Sequence, residues 1–255
     1  EKPMARTSRE CVEMADAARK AGVKLGVCHN YLFHPVVGRL KEEIDRGGLV
    51  TLRTSFRTWI EREIRHGSRG DWLLTSEGGG VLWESGYHAA YIQRKFLGNI
   101  SRVNAVAGRV TDSLVDSILV ILKSTDGILG EMDLSWASKE IDWNVEAMTK
   151  TGDTFVADLR RDHLERRAIP SEGYVQENVP KLVRELRVAF EKRVVYGFKS
   201  ILKKGRFAHR SHYRLIGRML DDLRDPNAPP PATSEDGIAT VRLLERIETS
   251  LRKAS

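Results

Sequence analysis

The period of the apolar positions changes along the chain, and each change marks an element. In TSRECVEMADAARKAGVKLGVCHN, Val12, Ala15 and Ala18 recur at helical spacing, which puts them on one face of a 3.6-residue repeat. Thr7 or Ser8 stands where a cap belongs and Gly22 where the helix should stop. Val23 to Val27, VKLGV, then reads as a short apolar strand. A helix feeding a strand in this way is the last unit of a parallel α/β sheet.

A second helix is expected from Pro35 to about Asp45, with proline in its first turn and Gly47-Gly48 at its end. The pattern turns to β from Leu49 to Ile60. After a glycine-rich passage come further strand candidates, SRVNAVAGRV, DSILVILKS, ILGEMDLSWA, WNVEAMTKTG and TFVADLR. Thr125-Asp126-Gly127 and Thr151-Gly152-Asp153 supply turns between them. Strands that follow one another without helices predict an antiparallel meander. The fold class is therefore α+β, an open and predominantly antiparallel sheet flanked by helices. In the last third, Leu182, Leu186, Phe190, Val194, Phe198 and Ile201 form a helical stripe. The proline-rich DPNAPPPATSEDG follows, and Ser234-Glu235-Asp236 opens a final helix.

Composition narrows the class. The 255 residues are 41% hydrophobic and 30% charged, the balance of a globular chain. No apolar run approaches the ~20 residues a membrane span needs, so no stable membrane association is expected. Cys11 and Cys28 form neither a disulfide framework nor a metal-binding spacing, so no metal site is expected and a reducing cytoplasm is the natural setting. The net charge of +7 is local, because Lys181 to Arg224 holds thirteen Lys or Arg against four Asp or Glu. That segment reads as a solvated helix with charged faces, or as an attractor of an anionic substrate or membrane surface. No zinc-finger, RRM or KH pattern accompanies it, so a nucleic-acid partner is not expected.

The candidate chemistry begins in EGGGVLWESGYHAAY, Glu77 to Tyr91. Three glycines allow unusual backbone angles and close approach to another group. Glu84 and His88 follow, four residues apart and so on one helical face. A carboxylate beside an imidazole orients it as a general base; the plain alternative is a solvated helix face. Lys2 is held between Glu1 and Pro3, where proline biases it towards extended geometry. It is either an ordinary surface lysine or one aimed at a substrate oxygen.

Glu1-Lys2-Pro3, VCHNYLFHP (Val27 to Pro35), RGGLV (Arg46 to Val50), GGGVLWESGYHAAYIQRKFLG (Gly78 to Gly98) and SEDGIATVRLLERIETS (Ser234 to Ser250) occur in one order along the chain. In that order and spacing the sequence resembles the Gfo/Idh/MocA oxidoreductases, the glucose–fructose oxidoreductase and inositol dehydrogenase group. The resemblance implies that residues 1–30 are the end of a Rossmann domain and its last helix–strand unit. Residues 31–255 are then the catalytic, substrate and oligomerisation domain. It implies NAD or NADP as cofactor, with Glu1, Lys2, Pro3 and Asn30 on the cofactor side. Lys2, His88 and Glu84 become the catalytic group, His88 taking a hydroxyl proton. Tyr31 falls near the substrate, and Arg57 and Trp72, with Arg53 a further candidate, are either substrate contacts or ordinary strand and core residues.

Three departures stand out. Glu84 occupies a place where dehydrogenases of the family usually have Asp. Tyr91 stands where many relatives have Asp, which removes a supporting carboxylate from His88. The chain holds no G-x-G-x-x-G phosphate turn, so most of the Rossmann domain is expected outside it. The function implied is an NAD(P)-dependent dehydrogenase of a sugar, cyclitol or sugar derivative, with a homo-oligomer formed through the open sheet. The alternatives are a non-catalytic binding or oligomerisation module and an NAD-dependent glycosidase.

Overall fold

The computed structural model describes residues 1–67, 70–75, 78–109, 116–167, 210–225 and 229–254. Helix α1 (Ser8–Lys20) begins on a capping box, with Thr7 and Glu10 each bonding the other's backbone N–H. A 3-10 turn (Asn30–Phe33) precedes α2 (Pro35–Gly47). Strand β1 (Leu49–Trp59) leads into short α3 (Ile60–Arg65), and a π-helical turn (Leu82–Gly86) leads into α4 (Tyr87–Leu97). Six strands follow: β2 (Ile100–Gly108), β3 (Ser117–Ser124), β4 (Leu129–Ser135), β5 (Ala137–Thr149), β6 (Thr154–Asp158) and β7 (His163–Arg167). Helices α5 (Arg210–Arg224) and α6 (Ser234–Ala254) complete the described elements.

The seven strands form one sheet in the order β2-β3-β4-β1-β5-β6-β7. Every neighbouring pair is antiparallel except β1 with β4, which run parallel from Thr51↔Leu129 to Arg57↔Ser135. The α+β, predominantly antiparallel fold expected from the sequence is present. The simple meander is not, because β1 sits between β4 and β5. The chain passes from one edge of β1 to the other at Trp136, which is buried. There its carbonyl accepts from Ile60 N–H at 3.0 Å, its N–H donates to Asp116 O at 2.7 Å, and its indole donates to Ser85 Oγ at 3.0 Å.

Two further expectations need correction. Val23 to Val27 is not a strand: its only bridge is Gly26 to Thr233, since no sheet strand lies beside it among the described residues. Strand β7 was not anticipated, because HLERR carries one apolar residue among five. The stripe from Leu182 to Ile201 lies outside the described residues, as does the basic segment up to Arg210. Among the described residues no helix is long and apolar enough to cross a membrane, and no cluster of side chains has the makings of a metal site.

One face of the sheet is covered by helices, and among the described residues no helix covers the other, open face. On β1, Leu52, Thr54 and Phe56 point to the covered face and are at most 1% exposed. Arg53 and Arg57 alternate with them onto the other side, as strand geometry requires. Helix α4 lies in the covered layer, with Tyr87, Ala89, Ala90, Tyr91 and Ile92 all buried. Gln93 locks it to the sheet: its Nε2 donates to Leu52 O at 3.2 Å and Glu131 O at 2.7 Å. Gly130 makes the room, since a Cβ there would run into the Gln93 side chain.

Candidate active site

The triple glycine is explained by crowding. A Cβ on Gly78 would collide with the Trp72 carbonyl oxygen, and Gly79 has φ +73° with Arg6 and Trp83 against it. Only glycine takes that angle without strain and fits that gap. The chain thereby comes tightly off the 3-10 turn Asp71–Leu74 and enters the π-helical turn that carries Glu84.

Glu84 meets Lys2 there, although 82 residues separate them. Lys2 Nζ donates to the Glu84 carbonyl oxygen at 2.9 Å and lies 3.3 Å from Glu84 Oε1. Their side chains are only 18% and 14% exposed, so the pair is poorly reached by water and its charges are less screened than at the surface. Ser85 Oγ donates to Glu84 Oε2 at 2.8 Å and itself accepts from Trp136. The carboxylate is therefore fixed on both oxygens. Lys2, Pro3, Arg6, Trp72, Leu73 and Glu84 line a cavity of about 350 Å³. The Lys2–Pro3 peptide is cis. Arg6 stacks over the Trp83 ring at 4.2 Å, and Trp83 Nε1 donates to Glu248 Oε1 at 2.6 Å, which ties this rim to α6.

One turn further on, His88 sits at the start of α4 and is only 8% exposed, so a solvated helix face is ruled out. Its ring lies among aromatic rings, 4.7 Å from Tyr31 and 6.2 Å from Phe56, stacked on the latter. Its Nδ1 is 2.8 Å from the Tyr91 hydroxyl. Tyr91 occupies the place where a carboxylate was missed in the sequence and serves as the partner instead. That hydroxyl also accepts from Tyr31 N–H at 3.1 Å and donates to Asn30 Oδ1 at 3.3 Å. Asn30 Nδ2 in turn donates to Ser211 Oγ on α5 at 3.3 Å. Burial holds the Tyr91 phenol well above its ordinary pKa, so it stays protonated.

The structure thus groups the expected residues into two adjoining clusters, Lys2 with Glu84 and His88 with Asn30 and Tyr31, joined by the π-helical turn. Trp72, 62% exposed, stands at the rim of the Lys2 cavity. Glu1 is exposed beside it in sequence. Arg57 belongs elsewhere. Its guanidinium bonds Asp133 across β4, and Arg53 bonds Glu131 and Asp133 on the same open face. That is the side of β1 opposite to Phe56 and His88, so Arg57 is not placed to share a ligand with them.

Sequence reasoning missed His29, Tyr87 and Ser211. His29 stacks on Tyr91 at 4.4 Å and its Nε2 is 3.1 Å from the Tyr87 hydroxyl. Burial lowers its pKa to about 4. Its adjacency to Asn30 was the one available signal. Ser211 gave none, since it reaches Asn30 from a helix 181 residues away.

A nicotinamide cofactor fits what these residues offer in part. An ammonium and a fixed carboxylate at the mouth of a cavity walled by Pro3, Trp72 and Leu73 suit its reacting end. The pyrophosphate has no glycine-rich turn within the 255 residues.

Residues 37–153 match the family model described as the GFO/IDH/MocA C-terminal domain. The D-xylose dehydrogenase of Paenarthrobacter nicotinovorans is 27% identical over 158 residues, 54% of this chain and 41% of that protein. The chain spans less than half the length of the curated relatives it matches. Among solved structures, GenD2 from gentamicin A biosynthesis, in complex with NAD, superposes with a TM-score of 0.72 at 22% identity, over 100% of this chain and 69% of that one. The WlbA dehydrogenase of Bordetella pertussis, in complex with NADH and UDP-GlcNAcA, gives 0.71 at 18% identity, over 100% and 70%. At these identities the solved structures establish a shared fold. Together the matches show a likeness to the GFO/IDH/MocA oxidoreductases, carried by residues 37–153, which match the C-terminal domain of that family.

Proposed function

We propose that this chain supplies the catalytic and substrate-binding part of an NAD(P)-dependent dehydrogenase acting on a hydroxyl of a sugar, cyclitol or sugar derivative. The observation that carries the reading is the bonding of Lys2 to Glu84 one turn from a buried His88. It brings together two segments that the family resemblance singled out independently. The relatives named as dehydrogenases of D-xylose and D-apiose support the substrate class. Residues 1–30 complete the cofactor-side domain in this proposal, and a reducing cytoplasm agrees with the free Cys11 and Cys28.

In this reading His88 takes the hydroxyl proton as the carbonyl forms. Lys2 polarises the same oxygen, and Glu84, pinned by Ser85, keeps the ammonium in place. The aromatic wall of Tyr31, Phe56 and Trp143 keeps water from the imidazole. A nicotinamide held beside Lys2 and Pro3 would supply the hydride-accepting chemistry. The test is turnover of D-xylose, D-apiose and inositols with NAD or NADP by the full-length protein, following reduced nicotinamide. Lys2→Ala and His88→Gln are each expected to cut kcat by ~10²-fold or more. Near-normal turnover in either variant sinks the assignment.

A homo-oligomer through the open sheet belongs to the same proposal. Val106, Leu119, Ile121 and Leu129 are 41–57% exposed on that face, an apolar patch of the kind that marks an interface. Light scattering of the full-length protein tests it, and a monomer at micromolar concentration counts against it.

A further inference from the structure

The hydrogen-bond valences around Tyr91 settle more than its own position. A phenol has one hydrogen to give and two lone pairs to accept with. Three groups surround this one: His88 Nδ1 at 2.8 Å, Tyr31 N–H at 3.1 Å and Asn30 Oδ1 at 3.3 Å. The Tyr31 N–H only donates, so it takes one lone pair. The Asn30 carbonyl oxygen only accepts, so it takes the hydrogen, while its Nδ2 turns away to Ser211 Oγ. With the Asn30 amide oriented in this way, one lone pair remains for His88, which then carries its hydrogen on Nδ1.

We propose that Tyr91 is a positioning residue that holds His88 as the Nδ1–H tautomer, with Nε2 as the bare basic nitrogen, and that Asn30, anchored on Ser211 of α5, sets the direction of this hydrogen-bond chain. The inference deepens the proposed function and rests on His88 being its base. A carboxylate at position 91 would orient the ring and add a negative charge. The phenol orients it without one. Loss of a hydroxyl proton to Nε2 leaves an imidazolium whose Nδ1–H bond to Tyr91 is unchanged, so no other proton moves. Helix α5, far from the cavity in sequence, thereby acts on the base through two side chains.

Nitrogen-15 spectra of the histidine-labelled full-length protein read the tautomer directly, with the His88 signals assigned by their loss in His88→Gln. The expected wild-type ring, observed where it is neutral, has a protonated Nδ1 and a bare Nε2. Asn30→Leu removes the acceptor, releases the phenolic hydrogen to Nδ1 and reverses the tautomer. Asn30→Asp keeps an acceptor and keeps the tautomer. In Tyr91→Phe both tautomers are populated, and kcat falls by about tenfold, less than the ~10²–10⁴ that loss of an acid–base group itself costs, with KM little changed. A wild-type ring protonated on Nε2 overturns the proposal, and that measurement needs no variant to fold. Loss of turnover in His88→Gln together with an Nε2–H ring would sink the positioning role and spare the base. An Nδ1–H ring with full turnover in His88→Gln would do the reverse.

Discussion

Phe56 and Arg57 are neighbours on β1 and live in different chemistries. Phe56 is 1% exposed and stacks against His88 in a layer where the His88 imidazole, the Tyr91 hydroxyl and the Asn30 amide are held by hydrogen bonds to one another. The Arg57 side chain is 41% exposed on the open face, bonded to Asp133 in a setting that water screens. What separates them is burial: on the covered face a hydrogen bond left unmade costs the desolvation of its group, whereas on the open face water replaces it. Positional control of a side chain by hydrogen bonds shielded from water, as at His88, is therefore available on the covered side of this sheet.

The contrast breaks most sharply at its own residues. Phe56→Ala should destabilise the protein by about 3–5 kcal/mol, as expected for emptying an aromatic site in a packed layer. Chemical denaturation measures it, and a loss under 1 kcal/mol would mean that the covered face tolerates rearrangement. Next in size is an effect of acid. The unfolded chain protonates His29 near its ordinary 6.5, but the folded protein resists until about 4, because burial disfavours the charged ring. Stability should therefore fall as pH drops from about 6.5 to 4, by up to about 3 kcal/mol from this one group. His29→Gln should flatten that part of the stability–pH curve, and parallel curves for both proteins would refute it. On the open face, Arg57→Ala should cost only about 0.2–1 kcal/mol, because the Arg57 end of the pair is 41% exposed and Arg53 still pairs with Asp133. Ile121→Lys should change monomer stability by less than about 0.5 kcal/mol, and any larger effect should appear in oligomeric state.

The same contrast explains what could be read in advance. The strands and α2 were legible because one face of each is buried, so the period of apolar residues reports it. The Glu84–His88 spacing was legible too, but their setting was not: i, i+4 spacing says nothing about burial. Tyr91 looked like the loss of a partner because a list of charges overlooks a phenol. Ser211, His29 and Gln93 matter through contacts across 39 to 181 residues, and no local pattern encodes such contacts. Strand β7 escaped notice because its residues are mostly charged, and Val23 to Val27 misled because an apolar run becomes a strand only beside another strand.

The crossing at Trp136 has a consequence for how the protein comes into being. Strand β1 lies between β4 and β5, and its pairing with β4 joins Thr51 to Leu129, so about 80 residues of chain must be brought round first. The π-helical turn and α4 lie inside that loop. Contacts of such sequence separation form late and slowly. Closing of the β1–β4 pair and enclosure of the α4 segment that carries His88 are therefore expected to be linked on the folding pathway. A nascent chain released before β5 is made would carry Lys2, Glu84 and His88 without the complete sheet beneath them.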